Sequence, residues 1–236
     1  MIRTLFWRGL VAGLIAGLAA GAFAFVFGEP LIDRAIAVEA AREPAAHAED
    51  ALVSRDGQRV GLFLATGIYG LALGGLFGLV FAFARGRVRA RSDLWLSVGL
   101  AGALFAAVVL VPFVNYPAAP PGVGDPATIT ERTLLYGTVV ATSLLALLAA
   151  WRAARSVPQR AAWWLRPLAG LAVFAATAAM VAFVLPTIDE APESFPSDLL
   201  WDFRLTSLGV QVVLWASLGL AFGFAVRRAP LGARTG

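Results

Sequence analysis

A histidine and several carboxylates in one polar segment are the residues whose types could bind a metal ion. Glu39, Glu43 and His47 are spaced by four residues, so they would share one face of a helix. Glu49 and Asp50 follow closely. Imidazole together with carboxylates suits a borderline divalent cation such as cobalt, nickel or zinc. These five residues are therefore the candidate metal ligands.

The same segment also has a plainer interpretation. Pro44 would break a helix that ran through Glu39, Glu43 and His47. A single histidine among acids is also typical of a solvated loop. Both interpretations, a ligand cluster and a solvated loop, stay open on the sequence alone.

The rest of the composition excludes several kinds of site. The chain of 236 residues has no Cys and no Lys, and its only His is His47. A thiolate metal site, a disulfide, a P-loop lysine and a Schiff-base lysine are therefore excluded. Serine hydrolysis would need a base, and no nucleophile elbow lies near His47. We expect no enzymatic activity and no tightly bound cofactor.

The elements that must position these residues are six apolar stretches. Hydrophobic residues make up 59% of the chain and charged residues 14%, whereas soluble domains carry roughly a quarter charged residues. A bilayer core needs about 20 apolar residues in helical form, because hydrocarbon offers no partner to unpaired backbone groups. The predicted spans are Gly9–Phe27, Val60–Ala84, Leu94–Val114, Thr133–Trp151, Pro167–Leu185 and Leu205–Val226. The predicted fold is an all-α integral membrane protein with one polytopic domain over residues 1–236.

The distribution of the arginines predicts that both termini face the cytoplasm. With the N-terminus inside, the inner segments hold 13 of the 19 arginines and a single acid, Asp93, while the outer loops hold 14 of the 15 acids. Positive charge on short loops sets orientation in membranes. The net charge of +4 is therefore a sign of topology, and we expect no nucleic-acid partner. The predicted location is the cytoplasmic membrane of a prokaryote, which the chain crosses several times.

Glycines recur every four residues along three of the predicted helices. They are Gly9, Gly13, Gly17 and Gly21, then Gly70, Gly74 and Gly78, and finally Gly219 and Gly223. Small residues at this spacing let a neighbouring helix approach closely within lipid. The favoured partners are other helices of the same chain, and the alternative is a groove for a separate single-helix protein.

An acid and an arginine recur where each returning helix starts on the predicted outer side. The pairs are Asp56 with Arg59, Glu131 with Arg132, and Asp202 with Arg204. These three arginines lie on the predicted outer side, although most arginines of the chain lie on the inner side. One interpretation is that each has a carboxylate partner and that the chain consists of three copies of one helical hairpin. The alternative, which is slightly favoured, is three interfacial arginines that extend independently to the outer surface.

Few polar groups are available to line an ion pathway. The candidates are Asn115, Tyr116, Thr206, Ser207 and Gln211. No acid falls in the middle of a predicted span, where a cation pathway usually has one. Backbone carbonyls freed by Pro112 and Pro186 near helix ends could also contribute oxygen atoms.

Several longer strings of the sequence are distinctive. They are Gly67-Ile68-Tyr69-Gly70, Asn115-Tyr116-Pro117, Val123-Gly124-Asp125-Pro126, Leu199-Leu200-Trp201-Asp202-Phe203-Arg204 and Ser207-Leu208-Gly209 with Gln211. These strings resemble the CbtA family, which is described as a probable component of a cobalt transporter. The resemblance covers nearly the whole chain. It implies a cobalt-uptake permease subunit that is associated with cobalamin supply and accompanied by a small His-rich single-helix subunit, CbtB.

The permease has one main alternative, a non-transporting scaffold that binds a partner membrane protein through its glycine-rich helix faces. An acidic outer face favours the permease, because it would concentrate divalent cations. One His, no Cys and no mid-span carboxylate are too few for a selective transition-metal cage. We therefore expect the specific ligands to be shared with a partner in the bilayer, and a homo-oligomer is also compatible with the sequence.

Overall fold

Six long helices correspond to the six apolar stretches. The computed structural model describes residues 2–42, 54–88, 90–121, 123–124, 126–186, 192 and 195–227. Within these residues, six helical runs are long and apolar enough to cross a membrane: Ile2–Ala41, Arg55–Ala84, Asp93–Asn115, Ile129–Ser156, Leu165–Val184 and Ser197–Val226. The predicted all-α class and the number of spans are confirmed. The orientation of the termini stays a prediction.

Two of the six runs contain a π-helical segment. The first run consists of α1 (Ile2–Phe23), a π-helix over Ala24–Gly28 and α2 (Glu29–Arg42). After α3 (Arg55–Ala84), the next run consists of α4 (Asp93–Phe105), a π-helix over Ala106–Leu110 and α5 (Val111–Asn115). The remaining helices are α6 (Ile129–Ser156), α7 (Leu165–Val184) and α8 (Ser197–Val226). π-Helical turns are rare and occur often at functional sites, and they were not predicted from the sequence.

Local sequence explains several helix ends. The Ser54 hydroxyl accepts a hydrogen bond from the backbone N–H of Gly57 at 3.2 Å, which satisfies one of the free donors at the start of α3. Val157 and Leu185 are extended, with ψ of 125° and 143°, and each precedes a proline. The proline ring disfavours helical backbone at the residue before it, so α6 and α7 end there.

The helices extend beyond the apolar stretches into segments that were expected to be loops. The first outer loop was expected to begin at Gly28, yet Glu29–Arg42 is helical. The start of α8 at Ser197 likewise precedes the predicted span at Leu205. Once a helix is nucleated, each added residue contributes a hydrogen bond at little further cost. Polar residues therefore continue helices that apolar residues began.

The chain divides into two compact units. Unit one comprises Met1–Leu31, Glu43–Gly102 and Gly209–Gly236, and unit two comprises Ile32–Arg42 and Ala103–Leu208. In unit one, Phe222 packs edge-on against Phe77 and Phe81, with ring centroids 5.3 and 4.9 Å apart. All three side chains are buried.

The glycine stripes of α1 and α3 face each other within unit one. A Cβ atom added to Gly74 would lie 2.6 Å from the Cα of Gly13, and one added to Gly13 would lie 2.7 Å from the Cα of Gly74. One added to Gly70 would lie 2.8 Å from the Cα of Gly17. These distances leave no room for a methyl group. Gly9, Gly21 and Gly78 also lie against the opposite helix of this antiparallel pair.

The C-terminal part of α8 approaches α4 in the same way. A Cβ atom on Gly219 would lie 2.8 Å from that of Ala101, and one on Gly223 would lie 2.6 Å from a methyl carbon of Leu94. The buried Ser97 hydroxyl donates a hydrogen bond to the Gly219 carbonyl at 2.7 Å. A small residue on α8 thus exposes a backbone acceptor to the neighbouring helix.

Unit two is built on α6 and α7. A Cβ atom on Gly170 would lie 3.1 Å from the Ala150 carbonyl oxygen, so these helices also approach closely. Val111, Val139 and Val181 form the buried cluster that joins α5, α6 and α7.

Candidate functional site

One of the five candidate metal ligands lies in the described part of the chain. Glu39 is on α2, while Glu43, His47, Glu49 and Asp50 lie outside the described residues. Within the described residues, no group of three or more His, Cys, Asp or Glu side chains could hold a metal ion. The metal-ligand set therefore stays a prediction.

A buried glutamate directly after the first π-helix is the centre of an ionic cluster in unit one. Glu29 is only 7% exposed. Its Oε2 accepts a hydrogen bond from Arg55 Nη2 at 2.8 Å and lies 3.5 Å from Arg59 Nε. A buried carboxylate needs such partners to offset lost hydration. While both guanidinium groups pair with its carboxylate, Glu29 is also a poor ligand for a cation.

Glu29 was not singled out from the sequence. The available signal was a glutamate directly after an apolar run, together with two arginines at the start of the next helix. Arg59 also pairs with Asp56, whose Oδ1 lies 3.5 Å from its Nη1. The predicted carboxylate partner is therefore confirmed for Arg59.

Unit two contains a cavity of about 450 Å³ with two arginines in its wall. The lining residues are Tyr116, Pro117, Ala119, Val123, Gly124, Ile129, Arg132, Thr133, Tyr136 and Arg204, and we call this cavity the arginine pocket. Arg132 and Tyr136 are four residues apart on α6, so their side chains share a face. Arg204 comes from the start of α8. The described lining contains no carboxylate.

Gly124 places the backbone directly against one of these arginines. Its φ is +109°, a conformation that residues with a side chain rarely adopt. A Cβ atom there would lie 2.5 Å from Arg132 Nη1 and 3.1 Å from its Cζ. The backbone conformation favours glycine here, whereas the guanidinium is the end of a flexible side chain and could move aside. The segment before α6 thus lies close to the Arg132 guanidinium.

The other arginine of the pocket has an unsatisfied donor. Arg204 Nε is buried and has no hydrogen-bond partner among the described residues. No carboxylate within the described part of the chain pairs with Arg204, so the partner predicted for it is not found there. A buried N–H of a charged group without an acceptor is unfavourable.

The hydroxyl group of Tyr116 connects two segments of unit two. It donates a hydrogen bond to the carbonyl oxygen of Pro186 at 2.8 Å. Burial, and secondly the negative charge of Glu131, raise the pKa of Tyr116 above its ordinary value of 10.0. The phenol therefore stays protonated and keeps its donor proton at neutral pH.

Tyr136 contacts a carbonyl of the second π-helix. Its hydroxyl donates to the carbonyl oxygen of Val108 at 3.4 Å. Val108 lies four residues before Pro112, which has no N–H to offer it. A carbonyl that the proline was expected to free thus has a tyrosine as its partner.

The other family-motif residues are distributed over both units. Trp201 and Asp202 are exposed on α8, and Asn115 Nδ2 donates to the Val111 carbonyl at 2.9 Å. Ser207 belongs to unit two and Gln211 to unit one, while Asp125 lies outside the described residues. Of this set, the arginine pocket brings together Tyr116 and Arg204.

A buried polar pair occurs further along α8, in unit one. Gln211 Oε1 and Trp215 Nε1 are both buried and without a hydrogen-bond partner among the described residues. Their spacing of four residues places them on one face of the helix. Unsatisfied polar groups in a membrane helix are costly and often functional. Gln211 is therefore the described pathway candidate whose side-chain oxygen is buried and has no hydrogen-bond partner among the described residues.

Comparison with known proteins identifies a family. Residues 2–227 match the family model described as "Probable cobalt transporter subunit (CbtA)". No curated protein and no solved structure matches the chain.

Proposed function

Because the chain belongs to the CbtA family of probable cobalt transporter subunits, we propose that it is a membrane permease subunit for uptake of a divalent transition-metal ion. Cobalt is the proposed ion, and cobalamin supply is its proposed use. The observation that carries this proposal is the family match over residues 2–227. Six helices of membrane-crossing length are the elements through which such an ion would pass.

The proposed path begins at the acidic segment on the predicted outer side. Its carboxylates would raise the local concentration of divalent cations. Those carboxylates are Glu39, Glu43, Glu49 and Asp50, and His47 would add one nitrogen ligand. Within the helices, the buried and unpartnered Gln211 oxygen is the described group best suited to contact a passing cation.

Selectivity is proposed to require a second subunit. Carboxylate and amide oxygens alone would bind magnesium and calcium as readily as cobalt, because nitrogen and sulfur ligands provide the preference for transition metals. This chain offers one His and no Cys. A small His-rich single-helix subunit would supply the missing nitrogen ligands.

The scaffold alternative relied on free glycine stripes. In the described structure, those stripes lie against helices of the same unit. A single-helix partner would therefore have to bind another face, and the scaffold function has no glycine stripe left to support it among the described helices.

The test is cobalt uptake in cells that lack other cobalt importers, with this chain alone and together with a His-rich single-helix protein. We expect strong uptake only with both proteins. Substitution His47→Ala should reduce uptake modestly, and neutralising the four outer carboxylates together should reduce it more. Asp198→Asn is the control, because Asp198 already pairs with Arg34 at 3.4 Å. Equal uptake by all variants would contradict the proposed path.

Isothermal titration of the purified chain tests the shared-ligand idea separately. We expect weak cobalt binding that weakens further as ionic strength rises, because exposed charges are screened by salt. A stoichiometric, submicromolar and salt-insensitive cobalt site without any partner would show that this chain holds a selective site by itself.

A further inference from the structure

We propose that the arginine pocket of unit two binds a phosphate-type oxyanion, supplied either by a phospholipid headgroup or by free phosphate. This binding function is distinct from cobalt uptake and does not depend on it. The inference starts from Arg204, whose side chain lines the cavity while its Nε is buried without a hydrogen-bond partner among the described residues. The guanidinium group carries further N–H donors, and an anionic oxygen in the cavity would accept hydrogen bonds from that group.

The hydroxyl groups of the pocket are already engaged with backbone carbonyls. Those of Tyr116 and Tyr136 donate to the carbonyl oxygens of Pro186 and Val108. The Thr133 hydroxyl donates to a carbonyl of its own helix at 2.8 Å. Recognition of a ligand therefore has to come from the guanidinium groups, and first of all from that of Arg204.

The second guanidinium lies beside the segment that precedes α6. A Cβ atom added to Gly124 would lie 3.1 Å from Arg132 Cζ, so this guanidinium group is next to the backbone that lines the same cavity. Planar guanidinium groups bind carboxylate and phosphate oxygens through parallel N–H···O bonds, which a halide ion cannot match. Two such groups in the wall of one cavity of about 450 Å³ supply donors of the kind that a phosphate-type oxyanion accepts.

The charge of the pocket also favours an anion over a cation. No carboxylate is present among the described lining residues, and Arg132 and Arg204 both carry positive charge. The exposed Glu131 precedes Arg132 but is not part of the lining. The charged groups of the described lining are guanidinium groups, which do not bind cations, so the arginine pocket is not expected to lie on the path of cobalt.

A lipid headgroup is within reach because the pocket is formed by helix ends. Tyr116 directly follows α5, Arg132 belongs to the first turns of α6, and Arg204 belongs to the first turns of α8. In the predicted topology these ends lie at the outer membrane interface, where phospholipid phosphates are located. Free phosphate could reach the same position from solution.

The experiment uses the full chain in dodecyl maltoside. Inorganic phosphate is titrated at constant ionic strength and binding is measured by calorimetry. In parallel, native mass spectrometry counts phosphatidylglycerol molecules retained from mixed micelles. We expect Arg204→Gln to weaken binding about tenfold or more, as expected for a lost charge-assisted hydrogen bond. Arg204→Lys should recover part of it.

The control is Arg152→Gln, an exposed arginine near the opposite end of α6, which should bind as the wild type does. Phosphate binding in plain detergent supports a free-ion site, and retention of phosphatidylglycerol alone supports a lipid site. If the wild-type chain binds neither, or if Arg204→Gln binds as well as Arg152→Gln, the proposal is wrong. Absence of binding by the wild type refutes the proposal even if a variant fails to fold, and Arg204→Lys is a second variant that assigns any binding to the pocket.

Discussion

The close approach of α1 and α3 makes Gly74→Ala a sensitive perturbation. The added Cβ would lie 2.6 Å from the Cα of Gly13, whereas ordinary contacts of such atoms begin at 3.4 Å. The obstacle is backbone, which cannot rotate away, and the Gly9 carbonyl oxygen lies closer still, so the two helices must separate locally by at least about 0.8 Å. Overpacking of this kind costs about 1–3 kcal/mol. We expect Gly74→Ala to lower the free energy of unfolding by about 2 kcal/mol.

The matched control is Gly61→Ala on the same helix, where no heavy atom lies within 4 Å of the added Cβ. Alanine there should be neutral or stabilise the helix by up to about 1 kcal/mol. Thermal unfolding in a mild detergent should place Gly74→Ala roughly 4–8 °C below the wild type. If Gly74→Ala melts together with Gly61→Ala, the close helix contact is not present in the protein, and the packing described for unit one is wrong.

Two further predictions concern topology and the buried glutamate. Cysteines introduced at the exposed positions Ser54 and Ser156 should react with an impermeant reagent from opposite sides of the membrane, because the chain has no other cysteine. Glu29→Gln should lower the free energy of unfolding by about 1–3 kcal/mol, since it removes the carboxylate that the half-buried guanidinium groups of Arg55 and Arg59 share.

Labelling of both cysteines from outside would contradict the six-span topology. For the glutamate, the control is Asp198→Asn, which removes an ion pair whose side chains are 53% and 70% exposed. Such exposed pairs contribute about 0–1 kcal/mol. Equal effects of Glu29→Gln and Asp198→Asn would show that burial does not strengthen the ionic cluster around Glu29.

The six membrane-crossing helices were predictable because the bilayer imposes a simple rule. Any segment in hydrocarbon must satisfy its own backbone, and about 20 apolar residues are needed to cross. Composition along the chain is therefore sufficient to count the spans. The helix ends were less predictable, since α2 and the start of α8 consist of polar residues that continue a helix begun by apolar ones.

The spacing of the glycines was sufficient to recognise the stripes, but it did not show which helix each stripe would contact. A four-residue repeat places glycines on one face of a helix, and any other small-residue face could lie against it. Only the tertiary structure pairs Gly13 with Gly74 and places Gly219 against Ala101. Partner choice depends on the complementarity of whole helix surfaces, which lie far apart in the sequence.

The candidate sites depend on long-range contacts to an even greater degree. The sequence alone determined that this is a six-span membrane protein with one His, no Cys and an acidic predicted outer side. It also carried the motif residues Tyr116 and Arg204. Their meeting in one cavity, and the burial of Glu29 between two arginines, were decided by the tertiary structure. The physical reason is that burial and charge pairing depend on which helices are neighbours, and local periodicity carries no information about neighbours.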